Sequence, residues 1–222
     1  MLGKLKKMIL PILVASSIVA AHQTVVFDWG KVMANPNGKA IVGFLCETFQ
    51  MSEEELERTH LQFKRERLGN FEPDATEFWL RFAEWKGTTL PSDWPAAYNS
   101  VAREALNPNL EMYALVGELK AKGVPVALLS NIEKPHGLLI RGFGFYDPFD
   151  PCLLSYEIGV RKPDPKAYLH LLDALGLPGE DVIFFDDKLE NVEAARKLGI
   201  DAIQFESFAQ VQKELVKRGL FD

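Results

Sequence analysis

Two apolar runs that each end in acid constrain this chain more than any other feature. Thr24-Val25-Val26-Phe27 leads into Asp28-Trp29-Gly30, and Val182-Ile183-Phe184-Phe185 leads into Asp186-Asp187. Valine, isoleucine and phenylalanine favour strands, and an unbroken apolar run suits a parallel strand covered on both faces. In open α/β sheets the chemistry gathers at the carboxyl ends of the strands. Two strands that deliver carboxylates to one sheet edge would repel unless a divalent cation lay between them. An aspartate that starts a turn or caps a helix explains either run taken singly, but is a poorer account of the pair.

The second half of the chain alternates regularly. Asn109 predicts a helix cap ahead of Leu115, Val116 and Leu119, and the helix ends at Gly123. Val124 to Leu129 reads as a strand running into Ser130-Asn131, and Cys152-Leu153-Leu154 as a short one. A loop from Gly159 to Pro165 precedes a helix with Tyr168, Leu171 and Leu175. After the Val182 run come a helix through Val192, Ala195 and Leu198, a strand from Asp201 to Gln204, and a helix through Val211 and Leu215. Such alternation predicts an α/β fold with a doubly wound, mostly parallel sheet.

Between Asp28 and Val124 lie 95 residues, far more than a crossover helix needs. Ile41, Phe44, Leu45 and Phe49 follow helical spacing, Ser52 to Glu55 and Asp74 to Glu77 have the form of helix starts, and Pro91 and Pro95 break the chain before Tyr98 and Val101. Residues 36–106 therefore read as an inserted α-helical cap, with 22–35 and 107–222 forming the core domain. Phe78, Trp79, Phe82, Trp85 and Trp94 recur at helical spacing, which argues for packing inside that lobe. His60, with no second histidine or cysteine at metal-ligand spacing, reads as a packed or surface residue.

Residues 1–21 read as a leader. Lys4, Lys6 and Lys7 precede an apolar stretch from Met8 to Ala21 that ends in small residues. As a helix those residues reach about 21 Å, short of a hydrocarbon core of roughly 30 Å. A cleavable signal peptide and an exported protein are expected, ahead of an uncleaved membrane anchor or an apolar helix packed on the fold. The formal charge of −6 would become −9 without the leader, which argues against nucleic acid as a partner. Cys46 and Cys152 fall in different lobes and are expected as free thiols.

Four segments carry a resemblance. Phe27-Asp28-Trp29-Gly30, Leu128-Leu129-Ser130-Asn131, the Gly159-Val160-Arg161-Lys162-Pro163-Asp164-Pro165 loop and Phe185-Asp186-Asp187-Lys188-Leu189-Glu190-Asn191 resemble, in order, the four motifs of the haloacid dehalogenase superfamily. The chain is similar in particular to its phosphatase-like branch, which has a helical cap inserted after the first motif. The resemblance implies a magnesium-dependent phosphohydrolase that acts on a small phosphorylated metabolite through an aspartyl phosphate. It makes Asp28 the nucleophile and has Ser130 and Lys162 hold phosphoryl oxygens, with Asn131 also at the substrate. Mg2+ would sit on the Asp28 and Asp187 carboxylates and the Gly30 carbonyl, with Asp186 as a further ligand or a support, and Asn191 orienting the cluster. Singly, Ser130 also reads as a helix cap, Lys162 as a loop lysine and Asn191 as a surface amide; their joint order argues otherwise.

The chain departs from the family at one position. Most phosphatases of that superfamily carry a second aspartate two residues after the nucleophile, as general acid and base, where this chain has Gly30. Losing such a group costs about 10²–10⁴ in rate, less when the leaving group is good, so a sugar 1-phosphate or acyl phosphate would suffer least. Lys31, next along, either reaches the phosphate or faces solvent. Two other readings stand behind the phosphatase: an impaired relative that binds a ligand or protein through the same cleft, and a dehalogenase in which Asp28 attacks carbon without metal. A Ser130–His136 serine hydrolase is weaker still, since no Gly-x-Ser-x-Gly turn surrounds Ser130.

Overall fold

The computed structural model describes residues 23–69 and 71–221. The predicted leader lies outside them, and among the described residues no helix is long and apolar enough to cross a membrane. Five strands form the sheet: β1 (Thr24–Phe27), β2 (Val126–Ser130), β3 (Cys152–Leu154), β4 (Val182–Asp186) and β5 (Asp201–Gln204). Their order is β3-β2-β1-β4-β5 and every pairing is parallel. The first strand in sequence is thus the middle strand in space. Connections leave it toward β2 on one side and return to β4 on the other, which opens a crevice at its carboxyl end. β2 starts two residues later than the apolar pattern suggests, because Pro125 follows the preceding turn and only its carbonyl joins β1.

Between β1 and Asn107 the described residues make four α-helices, α1 (Gly38–Phe49), α2 (Glu53–Phe63), α3 (Ala75–Lys86) and α4 (Trp94–Ala105), with a π-helical turn at Lys64–Leu68. Ser52 and Asp74 accept from the backbone N–H groups of Glu55 and Glu77 at 3.2 and 2.9 Å, so both start signals are real caps. Pro95 does not break α4; it sits in its first turn, where a missing N–H costs nothing. The four helices enclose their own core, in which Phe82 meets Phe49, Phe63, Trp79 and Trp85 and Trp94 stacks on Tyr98. His60 packs on Phe78 and Trp79. The chain enters and leaves this lobe through a paired neck. Asn35 N–H donates to Asn107 O at 3.0 Å, Asn37 N–H to Ala105 O at 2.6 Å, and the Asn107 side-chain amide returns to Asn35 O.

The remaining helices cover the sheet: α5 (Leu110–Ala121), α6 (Lys134–Gly142), α7 (Ser155–Ile158), α8 (Pro165–Leu175), α9 (Leu189–Arg196) and α10 (Phe208–Lys217). Val25, Phe27, Leu128, Ile183 and Phe185 point to one side, under α5 and α10, while Val26, Ala127, Leu129, Val182 and Phe184 point to the other, under α8 and α9. The strict alternation of the pleat splits each apolar run between two cores. Cys46 in α1 and Cys152 in β3 are free thiols.

Gly179 marks a close approach that no other residue can make. A Cβ there would lie 2.3 Å from the carbonyl oxygen of Leu198 and 2.8 Å from the carbonyl carbon of Gly199, both backbone atoms that lead into β5. Gly179→Ala is expected to lower stability by about 1–3 kcal/mol in urea unfolding, because the turn before β5 must move away.

Candidate active site

The carboxylates and Ser130 sit at or just past the carboxyl ends of strands, Lys162 in the loop after α7, and Asn191 in the first turn of α9. The β1–β4 register sets Phe27 opposite Phe185, so Asp28 comes level with Asp186, and its N–H donates to Phe185 O at 2.8 Å. Asp186, the last residue of β4, is fully buried. Ser130 closes β2 and lines the same cleft. One carboxylate oxygen from each of Asp28, Asp186 and Asp187 lies within 4.8 Å of the others.

Lys162 holds this acid cluster together. Its ammonium donates to Asp28 Oδ1 at 2.7 Å, to Asp186 Oδ2 at 2.7 Å and to the Leu129 carbonyl at 2.6 Å. An ammonium has three protons, and all three are spent. Sequence reasoning gives Lys162 to phosphoryl oxygens; the structure places it first between carboxylates. Asn131, also expected at the substrate, is committed elsewhere: its amide donates to Lys162 O at 2.7 Å and its carbonyl accepts from Lys162 N–H at 2.9 Å. That two-point clamp makes Asn131 a positioning residue for the lysine.

Asp186 is just as fully engaged. It accepts from Lys162, from the Lys188 backbone N–H at 2.9 Å, and from the Asn191 amide at 2.9 and 3.0 Å. A carboxylate has about four lone-pair sites. Asp186 belongs to the three-carboxylate group that could hold a cation, and its oxygens also anchor Lys162 and Asn191. Asn191 is held in turn by Tyr168, whose hydroxyl donates to Asn191 O at 2.8 Å. The Asn191 Oδ1 is buried with no hydrogen-bond partner among the described residues, and Asn191 borders the cleft. Asp187 is more accessible, and Lys31 Nζ lies 3.3 Å from its Oδ2.

The turn after Asp28 is tight. Met33 and Ala34 N–H groups both donate to Trp29 O, and Lys31 N–H donates to Ala34 O at 2.6 Å. Lys31 takes a φ of 61° there, a left-handed conformation that costs a non-glycine residue of order 1 kcal/mol or more. A Cβ added at Gly30 would come 3.9 Å from Asp28 Oδ2, so the position faces the Asp28 carboxylate without supplying any acid.

Around this cluster lies a cleft of about 460 Å³. Trp29, Ile132, Leu139 and Ile140 line it from the core, and Pro36, Ile41 and Leu106 from the lobe. Lys31, three residues after Asp28, and Arg161 and Lys188, chain neighbours of Lys162 and Asp187, bring positive charge to the same space. Sequence reasoning misses the Leu129 carbonyl, the Lys188 N–H and the apolar walls. Only the 136, 139, 140 spacing hints that α6 turns a face to the cleft.

Burial and the neighbouring Asp186 push the Asp28 carboxyl up from 3.8 to about 6, and Lys162 limits the rise. Burial is the largest cause. A carboxyl whose pKa is raised on folding stabilises the fold only while protonated, so this contribution is lost as pH rises from about 4 to about 6. Lys162→Met leaves two buried carboxylates without a counter-charge, and is expected to cost about 3–5 kcal/mol in chemical unfolding at pH 7 with chelator present. The deficit should shrink below pH 6, where Asp28 takes up a proton.

Comparison with known proteins agrees with this geometry. Residues 11–199 match the model of the haloacid dehalogenase-like hydrolases. The chain is 36% identical over 140 residues to the sesquiterpene phosphatase astK of Aspergillus oryzae, covering 63% of this chain and 68% of that protein. It is 35% identical over 119 residues to the drimenol cyclase drtB of Aspergillus calidoustus, covering 52% of this chain but only 22% of that protein. In fold it is similar to a haloacid dehalogenase family enzyme, bt-2542, of Bacteroides thetaiotaomicron, solved in complex with magnesium and inorganic phosphate. That likeness has a TM-score of 0.58 and 20% identity over 85% of this chain and 98% of the other. With its central-strand aspartate, its buried lysine and its acid pair at the end of β4, the chain belongs to the haloacid dehalogenase-like hydrolases.

Proposed function

We propose that this protein is a magnesium-dependent phosphohydrolase that transfers the phosphoryl group of a small apolar metabolite to Asp28 and then to water. The observation that carries this reading is Asp28 itself: a buried carboxylate at the end of the central strand, held by Lys162 and open to the cleft. A relative named as a sesquiterpene phosphatase and a fold neighbour solved with magnesium and phosphate support it.

The residues fit a divalent cation. Two carboxylates with free oxygen capacity, Asp28 and Asp187, stand beside an orphaned acceptor, Asn191 Oδ1, that suits a donor such as a cation-bound water. Asp28, Asp187 and the Gly30 carbonyl would hold it, and Asp186 would orient its surroundings. When bound, magnesium supplies charge neutralisation between the anionic nucleophile and the anionic ester.

The chain's own groups then do the following. Asp28 turns one oxygen to phosphorus and forms the aspartyl phosphate as the ester P–O bond breaks. As Asp28 loses its negative charge, the proton that Lys162 gave it becomes free for a phosphoryl oxygen, so the expected phosphate role follows from the carboxylate role. Ser130 and Lys31 line the same space and complete the polar end. At the other end Ile41, Leu106, Leu139 and Ile140 offer apolar contact without hydrogen-bond partners. That lining favours an ester of an apolar alcohol over the sugar phosphate that the sequence alone suggests.

Two measurements test this. Phosphate release from dodecyl phosphate should require magnesium, cease with chelator, and fall by roughly 10⁴-fold or more in Asp28→Asn. The kcat/KM for dodecyl phosphate should exceed that for glucose 1-phosphate by at least about tenfold; a preference for the sugar ester would remove the apolar assignment. Magnesium binding without release from any ester would leave a binding protein. Calorimetry gives a separate check on Lys31, whose ammonium competes for Asp187: Lys31→Met should bind magnesium roughly 2- to 5-fold more tightly.

A further inference from the structure

Phosphate ester cleavage needs a proton for the departing alcohol, and the β1 loop has none to give, because Gly30 carries no side chain. The cleft residues already described are occupied: Lys162 and Asp186 are saturated, and Asp28 and Asp187 are the nucleophile and its partner. Of the other titratable or charged groups that line the cleft, Lys31 leans on Asp187 and Lys188 follows it in the chain. Arg161 keeps its charge at any working pH. Glu133 and His136 remain, both at the start of α6.

The placement of α6 is fixed from two directions. Ser155 Oγ accepts from Ile132 N–H at 2.9 Å and donates to Ile132 O at 3.0 Å, which pins the loop leading into the helix. Gly137 is buried against Tyr156, with no room for a side chain: a Cβ there would fall 2.4 Å from the ring. With that side of the first turn seated, His136, Leu139 and Ile140 share a helix face at i, i+3 and i+4, and all three line the cleft. Leu139 also packs against the core of the lobe. α6 therefore borders the cleft on the side the lobe closes. In-line attack by Asp28 sends the leaving oxygen out on the side of phosphorus opposite Asp28, into the cleft that His136 lines.

We propose that His136 is the proton carrier that replaces the missing acid, which rests on the phosphohydrolase reading above. In the first step the Asp28 oxygen bonds to phosphorus, the ester P–O bond breaks, and the His136 imidazolium gives its proton to the leaving alkoxide. In the second, water attacks phosphorus, the Asp28–phosphorus bond breaks, and the neutral imidazole takes the proton from water. The sum is ester plus water to alcohol plus phosphate, with Asp28 and His136 returned to their starting forms.

Leaving-group dependence tests the assignment, because a good leaving group needs little acid help. His136→Asn and His136→Gln are compared with the wild-type chain on dodecyl phosphate and on a series of phenyl phosphates of graded leaving-group acidity, with magnesium. His136 is exposed, so both variants should fold, and circular dichroism checks it. Expected are a loss of about 100-fold on the alkyl ester, a loss under about tenfold on p-nitrophenyl phosphate, and a steeper dependence on leaving-group acidity across the series. Equal losses across the series, or none, would overturn the role of His136 while Asp28→Asn inactivity kept the phosphohydrolase reading. No release of phosphate by the wild type from any of these esters would overturn both.

Discussion

The Lys162 ammonium is the contact on which the site depends. Without it, Asp28 and Asp186 would face each other across two adjacent strands with no counter-charge between them. The lysine joins three strands, since its partners are the end of β1, the end of β4 and the Leu129 carbonyl of β2. Asn131 then fixes the lysine's backbone, so a loop that comes after β3 is stitched to the residue after β2. A buried charge of this kind contributes little net stability against a well-packed apolar substitute, yet removing one partner is costly. The arrangement favours a preorganised carboxylate at Asp28 over a tighter core.

Preorganisation extends outward in a chain of single commitments. Tyr168 holds Asn191, Asn191 holds Asp186, Asp186 holds Lys162, and Lys162 holds Asp28. Lys162 and Asp186 have their hydrogen-bonding capacity nearly used up. Among the described residues three groups escape this pattern: Asp28, which keeps free oxygen capacity, the Asn191 Oδ1, buried without a partner, and the Asp187 carboxylate, paired with a strained and exposed lysine. Unsatisfied capacity inside an otherwise saturated network is where ligand chemistry has room to enter.

Much of this was legible in the residues. The two apolar runs ending in acid are the two central strands, and the parallel sheet follows from them, as does the helical insert between Asp28 and β2. The caps at Ser52, Asp74 and Asn109 read correctly because capping is a local interaction within three residues. Helix α6 was missed, since Pro135 and Gly137 disguise it; one suits a first turn and the other a close packing contact, and neither purpose is visible without the partner. The exact duties of Lys162 and Asn131 were also hidden. Their residue types fit a phosphate site, but which lone pair or proton is already spent depends on register between strands far apart in the chain. The walls of the cleft were beyond reach for the same reason, as Ile41, Leu106 and Ile140 come from three separate helical regions.

The neck between the lobe and the sheet has a consequence for how such a chain can diversify. Its two ends meet at Asn35 and Asn107 and are hydrogen-bonded to each other, so the core experiences the whole insert as little more than a closed turn. Loop-closure entropy grows only slowly with length, and here the closure is made at the base. Helices can therefore be lengthened, exchanged or reshaped above the neck with slight effect on the strands below. Lobe and sheet are parts that can vary independently.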